Sequence, residues 1–189
     1  AGVRLTIREG QIEGVTDDID AGDIELAKSE ALTEGGKLNA VKIAKPVFVL
    51  EPSGRYRATA DMSLGGGIVG TVPLGAAAAK VEIDNDRAKL TDISADVMDG
   101  RLSGTASISL SGADASRVDA EFTGLDLSKL AAVQVGRVIP LDGKADGTVN
   151  LSFSGTDLAT TSGEIQASLS ANAGNADDGN IPLNGRIEL

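Results

Sequence analysis

From Leu102 to Leu110 the even-numbered positions read Leu, Gly, Ala, Ile, Leu, while the odd ones from Arg101 to Ser111 read Arg, Ser, Thr, Ser, Ser, Ser. Such alternation restricts a chain more than its composition does. Successive side chains of a β-strand point to opposite faces, so a segment of this kind has one dry face and one wet face. The same period of two runs through Tyr56–Leu64, Val118–Phe122, Ala145–Phe153 and Ile165–Leu169. Further strands are predicted at Val3–Arg8, Asp23–Ala27, Leu38–Ala44, Val47–Glu51, Val69–Leu74, Lys80–Asp84 and Ile93–Val97. Turn chemistry separates them, at Glu34-Gly35-Gly36, Pro52-Ser53-Gly54, Asp99-Gly100, Asp142-Gly143 and Asn184-Gly185. A single short helix is predicted at Leu127–Val133, with Asp126 placed to cap it. The chain reads as all-β and antiparallel, with almost no helix.

The pattern also repeats. Asp99–Gly112 (DGRLSGTASISLSG) matches Asp142–Gly155 (DGKADGTVNLSFSG) about 43 residues later, and an aspartate follows each, Asp114 and Asp157. Ile139–Ala145 (IPLDGKA) recurs as Ile181–Ile187 (IPLNGRI), and Gly54–Gly66 aligns with Gly100–Gly112. The expected organisation is one continuous repeat-built domain over residues 1–189. It divides into a degenerate repeat at 1–53, units at 54–98, 99–140 and 141–181, and the start of another at 182–189.

This alignment disposes of a literal G-x-G-x-x-G at Gly65, Gly67 and Gly70. The glycines fall where Ser111-Gly112 and Ser154-Gly155 end a strand. The residues after them run into Pro73 and read as another strand, where a dinucleotide fold requires a helix. Turns are expected there, not a phosphate cradle. Asp17–Glu25 resembles a calcium loop, but Gly22 stands at a ligand position and Ser29 where a bidentate acid is needed. Asn172–Asn180 reads as a solvated loop.

The residues that are missing exclude more chemistry. The chain has no His, Cys or Trp, so Ser-His-Asp and Cys-His nucleophile systems and ordinary zinc, haem or iron–sulfur sites cannot be built. Its four aromatics, Phe48, Tyr56, Phe122 and Phe153, are scattered and make a poor sugar platform. A net charge of −11 is wrong for nucleic acid, which calls for a basic stripe. No apolar run approaches the ~18 residues that would span a bilayer. No enzyme activity, metal or cofactor is expected.

A dry face on every strand has to be covered by something. Here it mixes small and large residues, as in Leu102, Gly104, Ala106 and in the run Ala76–Ala79. A close-packed core wants filled volume; a face with gaps suits a groove that admits a guest. A nine-residue strand curled into a U gives arms of about 15 Å, comparable to half of a ~30 Å hydrocarbon core. The pattern alone leaves open whether the arms hold a groove apart or collapse into a closed sandwich.

Ser116–Val133 (SRVDAEFTGLDLSKLAAV) and Ile139–Ala171 (IPLDGKADGTVNLSFSGTDLATTSGEIQASLSA) resemble the AsmA-like and TamB-like family of bacterial envelope proteins. Repeats of that family show an LDL-x-x-L segment, a PL-x-G opening and strands ending in G-T-D-L. The likeness runs over Ile93–Leu189, while strand character alone extends it across Ala1–Leu50. It implies a fragment of a long, U-shaped β-sheet tube in the periplasm, anchored in the inner membrane by an N-terminal helix. The implied function is non-enzymatic phospholipid transport between inner and outer membrane, with outer-membrane protein assembly beside a barrel partner (the translocation and assembly module) in the TamB-like branch. The partners implied are phospholipid acyl chains and an outer-membrane barrel protein, with no nucleic acid. The residues that would line the groove are Met62, Leu64, Val97, Leu102, Ile108, Leu110, Val118, Phe122, Val149, Leu151, Phe153, Ile165 and Leu169. Ser109 falls on the wet face. The alternative is an extracellular structural or adhesive β-repeat protein whose apolar face is fully self-packed.

Overall fold

The computed structural model describes residues 2–28, 33–112, 114–135, 141–170, 181–182 and 185–188. Its elements are β1 (Val3–Arg8), β2 (Gln11–Thr16), β3 (Ile19–Leu26), β4 (Gly36–Leu50), β5 (Tyr56–Leu64), β6 (Gly66–Val69), β7 (Val72–Asp84), β8 (Arg87–Val97), β9 (Gly100–Ser109) and β10 (Ala115–Asp126). There follow α1 (Leu127–Val135), β11 (Leu141–Asp142), β12 (Lys144–Ser154), β13 (Asp157–Ser170), β14 (Ile181–Pro182) and β15 (Gly185–Glu188). A 13-stranded antiparallel sheet runs in the order β1-β2-β4-β5-β7-β8-β9-β10-β12-β13-β15, with β3 on β4 and β6 between β4 and β7. Near-sequential order follows from the short turns, because strands joined by a few residues can only pair antiparallel. The expected loop Asn172–Asn180 lies outside the described residues.

Long strands take two partners end to end. The C-terminal half of β4 pairs β2 and its N-terminal half pairs β3; on its other side β5 and β6 divide it the same way. The segments Leu38–Ala44 and Val47–Glu51, expected as separate strands, are therefore one. Between them the register slips at Ala44/Val47, where Lys45 has φ 49°. Val69–Leu74, expected as a strand, is instead a hairpin: β6 ends at Val69, Gly70 has φ 60°, and β7 begins at Val72. The short strand β2 and the parallel β11–β14 pair were not foreseen. In β2, Gly14 interrupts the alternation, yet it lies opposite Phe48 and against Leu5.

Register shifts recur across the sheet, at Gly22/Ile24 in β3, Leu90/Ile93 in β8 and Phe122/Leu125 in β10. Each extra residue kinks its strand and raises local twist. The polar face carries cross-strand ion pairs near these kinks, Lys45–Asp61 at 3.2 Å and Lys80–Asp92 at 2.6 Å. Pairs this exposed contribute about 0–1 kcal/mol each.

The packed core lies off centre. Val97, Met98, Phe122, Leu125, Leu127 and Ala145 form one buried cluster, with Val149 and Leu169 among the residues packed against it. The predicted helix forms because Asp126 Oδ1 accepts hydrogen bonds from the backbone N–H groups of Ser128 (3.0 Å) and Lys129 (3.2 Å), satisfying two orphan donors of its first turn. Among the described residues, no helix is long and apolar enough to cross a membrane.

Candidate functional site

The register joins the dry faces of successive strands into one surface. Ala60 stands opposite Val81, Val81 opposite Leu90, Leu90 opposite Ala106, Ala106 opposite Val118 and Val118 opposite Leu151. A parallel row runs from Leu64 through Ala77, Ala95, Leu102 and Phe122 to Gly147 and Ala167. Thus the apolar face passes from β5 to β13 without a polar interruption in either row.

Twelve of the residues singled out in the sequence share this face. They are Met62 and Leu64 on β5, Val97 on β8, Leu102 and Ile108 on β9, Val118 and Phe122 on β10, Val149, Leu151 and Phe153 on β12, and Ile165 and Leu169 on β13. Leu110 is placed differently, past the end of β9 in an exposed turn. Ser109 corrects the wet-face expectation, being only 1% exposed. Its backbone N–H donates to Ser116 Oγ at 2.8 Å, and the Ser116 hydroxyl donates to the Gly155 carbonyl. Where hairpin ends fold onto one another, position in a strand no longer sets burial.

The open part of the face lies over β1, β2, β4, β5 and β7. There a cavity of about 400 Å³ is bordered by Leu5, Phe48, Ala60, Met62, Val81 and Ile83, among others. Phe48 stacks on Tyr56 with ring centroids 6.3 Å apart. On β1 the alternating Val3, Leu5 and Ile7 are 68%, 65% and 70% exposed. Of the residues expected to line a groove, only Met62 borders this cavity. The signal was present in Val3, Leu5, Ile43 and Phe48, but these strands lie outside the segments where the repeat is clear.

Electrostatics belong to the other face. A second depression of about 330 Å³ is bordered by Lys45, Asp61, Lys80, Glu82 and Lys89. The hydrogen bond from the Lys80 ammonium to Asp92 pushes its pKa up, and the neighbouring negative charges add to this. Asp23 is held below the ordinary carboxylate range first by the Lys37 ammonium and then by the Ala40 N–H. In the segment that spells like a calcium loop, Asp20 instead accepts from the Gly22 N–H, at 3.0 Å, beside the bulge. Among the described residues, no group of three His, Cys, Asp or Glu is arranged to hold a metal ion.

The arrangement presents hydrocarbon on one side and paired charge on the other. Residues 17–170 match the family described as YdbH-like: Intermembrane phospholipid transport protein YdbH. No curated protein and no solved structure matches the chain.

Proposed function

This chain belongs to the YdbH-like family, an AsmA-like family of envelope lipid transporters, and on that premise we propose that its apolar face shields phospholipid acyl chains on their way between two membranes. One observation carries the reading: a one-sided, in-register apolar surface that remains uncovered over β1–β7. Strands spaced ~4.8 Å apart along the sheet order make the whole face, from β1 to β15, roughly 50 Å long and its uncovered part, from β1 to β7, roughly 20 Å. An acyl chain crossing one leaflet needs about 15 Å, half the hydrocarbon core. The kinks in β3, β4, β8 and β10 support a sheet curled around its dry side, with headgroups left in water.

Energetically, the face stands in for the bilayer. Each methylene withdrawn from water contributes about 0.8 kcal/mol, and moving it from lipid to an equally apolar trough changes little. Weak, similar contacts then retain a chain and let it slide. No bond is made or broken, so no catalytic residue is invoked.

The test is retention. Chain recovered from a bacterial periplasm is expected to carry phospholipid in native mass spectrometry and after organic extraction. Met62→Asp places a charge on the trough floor; in hydrocarbon that costs about 2.5–3.5 kcal/mol, roughly a hundredfold in occupancy. Leu151→Asp probes the same face further along, while Thr105→Lys on the opposite face serves as control. A folded but lipid-free parent chain, or equal loss with Thr105→Lys, sinks the proposal.

A further inference from the structure

Four alternating charges cross the back of the trough. Lys45 on β4, Asp61 on β5, Lys80 on β7 and Asp92 on β8 stand on four strands that neighbour one another in the sheet. Lys45 Nζ lies 3.2 Å from Asp61 and Lys80 Nζ 2.6 Å from Asp92, while Asp61 and Lys80 are directly opposite partners. Both outer members sit on bulges. The register of β4 slips at Ala44/Val47, where Lys45 has φ 49°, and that of β8 at Leu90/Ile93, where Asp92 has φ 52°. A left-handed backbone is uncommon outside glycine, and a bulge re-aims the side chain it carries. Here each bulged residue pairs with the next strand inward. The Lys80 ammonium is drawn by both carboxylates, Asp92 first and Asp61 after it, so the two pairs act as one row.

The row backs directly onto the trough. Ala60 and Val81 border both the polar depression beside the row and the apolar cavity on the reverse, so one layer of backbone separates them. Curling the sheet around its dry side spreads the wet side, and attraction along the row opposes that spread. We propose that Lys45, Asp61, Lys80 and Asp92 form an electrostatic clasp that limits the curl of the sheet, and with it how closely the trough folds around an acyl chain. The inference rests on the reading that the trough holds lipid. These side chains are 43–82% exposed, where ion pairs are individually weak and screened by salt. A clasp of that kind holds a shape and not the fold, so it can be released while the core stays intact.

The chain has no cysteine, so Glu13→Cys and Thr105→Cys together give the only two sites for spin labels. Both are exposed on the wet face, on β2 and β9, to either side of the four strands. Five strand steps of ~4.8 Å put them roughly 24 Å apart on a flat sheet. Asp61→Lys turns the row into three neighbouring ammonium groups, and the mean distance in double electron–electron resonance is expected to lengthen by a few ångströms. Reversing all four charges together (Lys45→Asp, Asp61→Lys, Lys80→Asp, Asp92→Lys) restores attraction and should restore the distance. Molar salt should lengthen it in the chain with its native row, a measurement that needs no substitution there. The full chain is then loaded with pyrene-labelled phosphatidylethanolamine. Its transfer to phosphatidylethanolamine–phosphatidylglycerol vesicles is expected to slow several-fold with Asp61→Lys and to recover on reversal. An unchanged distance in Asp61→Lys or in salt, or the same lengthening in the reversed chain, overturns the clasp. Distances that shift while transfer does not overturn its role at the trough. A chain that takes up no pyrene lipid overturns the lipid reading itself, and the distances still decide the clasp.

Discussion

The face over β1–β5 and the patch beneath α1 obey the same alternation and hang on the same sheet, yet one borders an open cavity and the other is buried among the protein's own side chains. Phe48 and Phe122 make the contrast concrete. Both sit on the dry side among small cross-strand neighbours, Ala58 beside Phe48 and Gly147 beside Phe122. Phe48 stacks on Tyr56 and borders an open cavity. Phe122 has Leu125, Leu127 and Val97 around it. Amphipathic strands make an apolar surface; a helix, a bulge and a glycine decide where that surface is spent on the protein's own core.

The largest expected effect separates the two rings. Phe122→Ala should lower unfolding free energy in urea by about 3–5 kcal/mol, the range for truncating a buried aromatic. Phe48→Ala should lose only about 1 kcal/mol, the scale of one aromatic pair. Comparable losses would mean the trough is as well packed as the cluster, and the contrast would fail.

Asp126→Ala comes next. Removing an N-cap acceptor costs about 1 kcal/mol, and it should fall on α1 and the strands it touches, Asp126 also pairing with Lys144 at 3.5 Å. Hydrogen exchange is expected to accelerate in α1 and beneath it at Val97 and Leu125, with β1–β5 unchanged. Uniform acceleration would show that α1 and the trough unfold as one unit, which blurs the boundary.

The smallest effect is with pH. Hydrogen bonding and attraction from Lys129 hold the Asp99 carboxyl below its ordinary range, and the backbone N–H groups of Asp86 and Arg87 do the same for Asp84. A carboxylate whose pKa is depressed on folding contributes stability above its unfolded pKa and loses it as pH falls through the folded value. Acid well below the ordinary carboxylate range should therefore loosen the Lys129 clasp on α1. Carbon NMR of the Asp99 carboxyl checks the direction; a midpoint at or above the ordinary value removes Asp99 from the account.

Much of this molecule was legible in its residues. Leu102–Ile108, Val118–Phe122 and Ala145–Phe153 alternate cleanly, and each lies in a strand with the expected dry face. Asp126 caps the helix as its position suggested. Less was legible where one residue changes the geometry. Lys45 bends β4 without ending it, and Gly70 turns a hairpin inside a run of β-formers. Neither event leaves a period for alternation to report. Buried Ser109 and exposed Leu110 show the same limit at a strand end.

The sequence by itself determined most of the strands, their dry faces and the antiparallel character of the sheet, because side-chain alternation and short turns are local physics. Coverage of the apolar face was decided only by tertiary structure. Burial depends on what lies over a residue, and Leu127 covers Phe122 through a helix that the strand pattern of β10 does not encode. Among the described residues nothing comparable covers Met62, and that difference separates an open trough from a closed core.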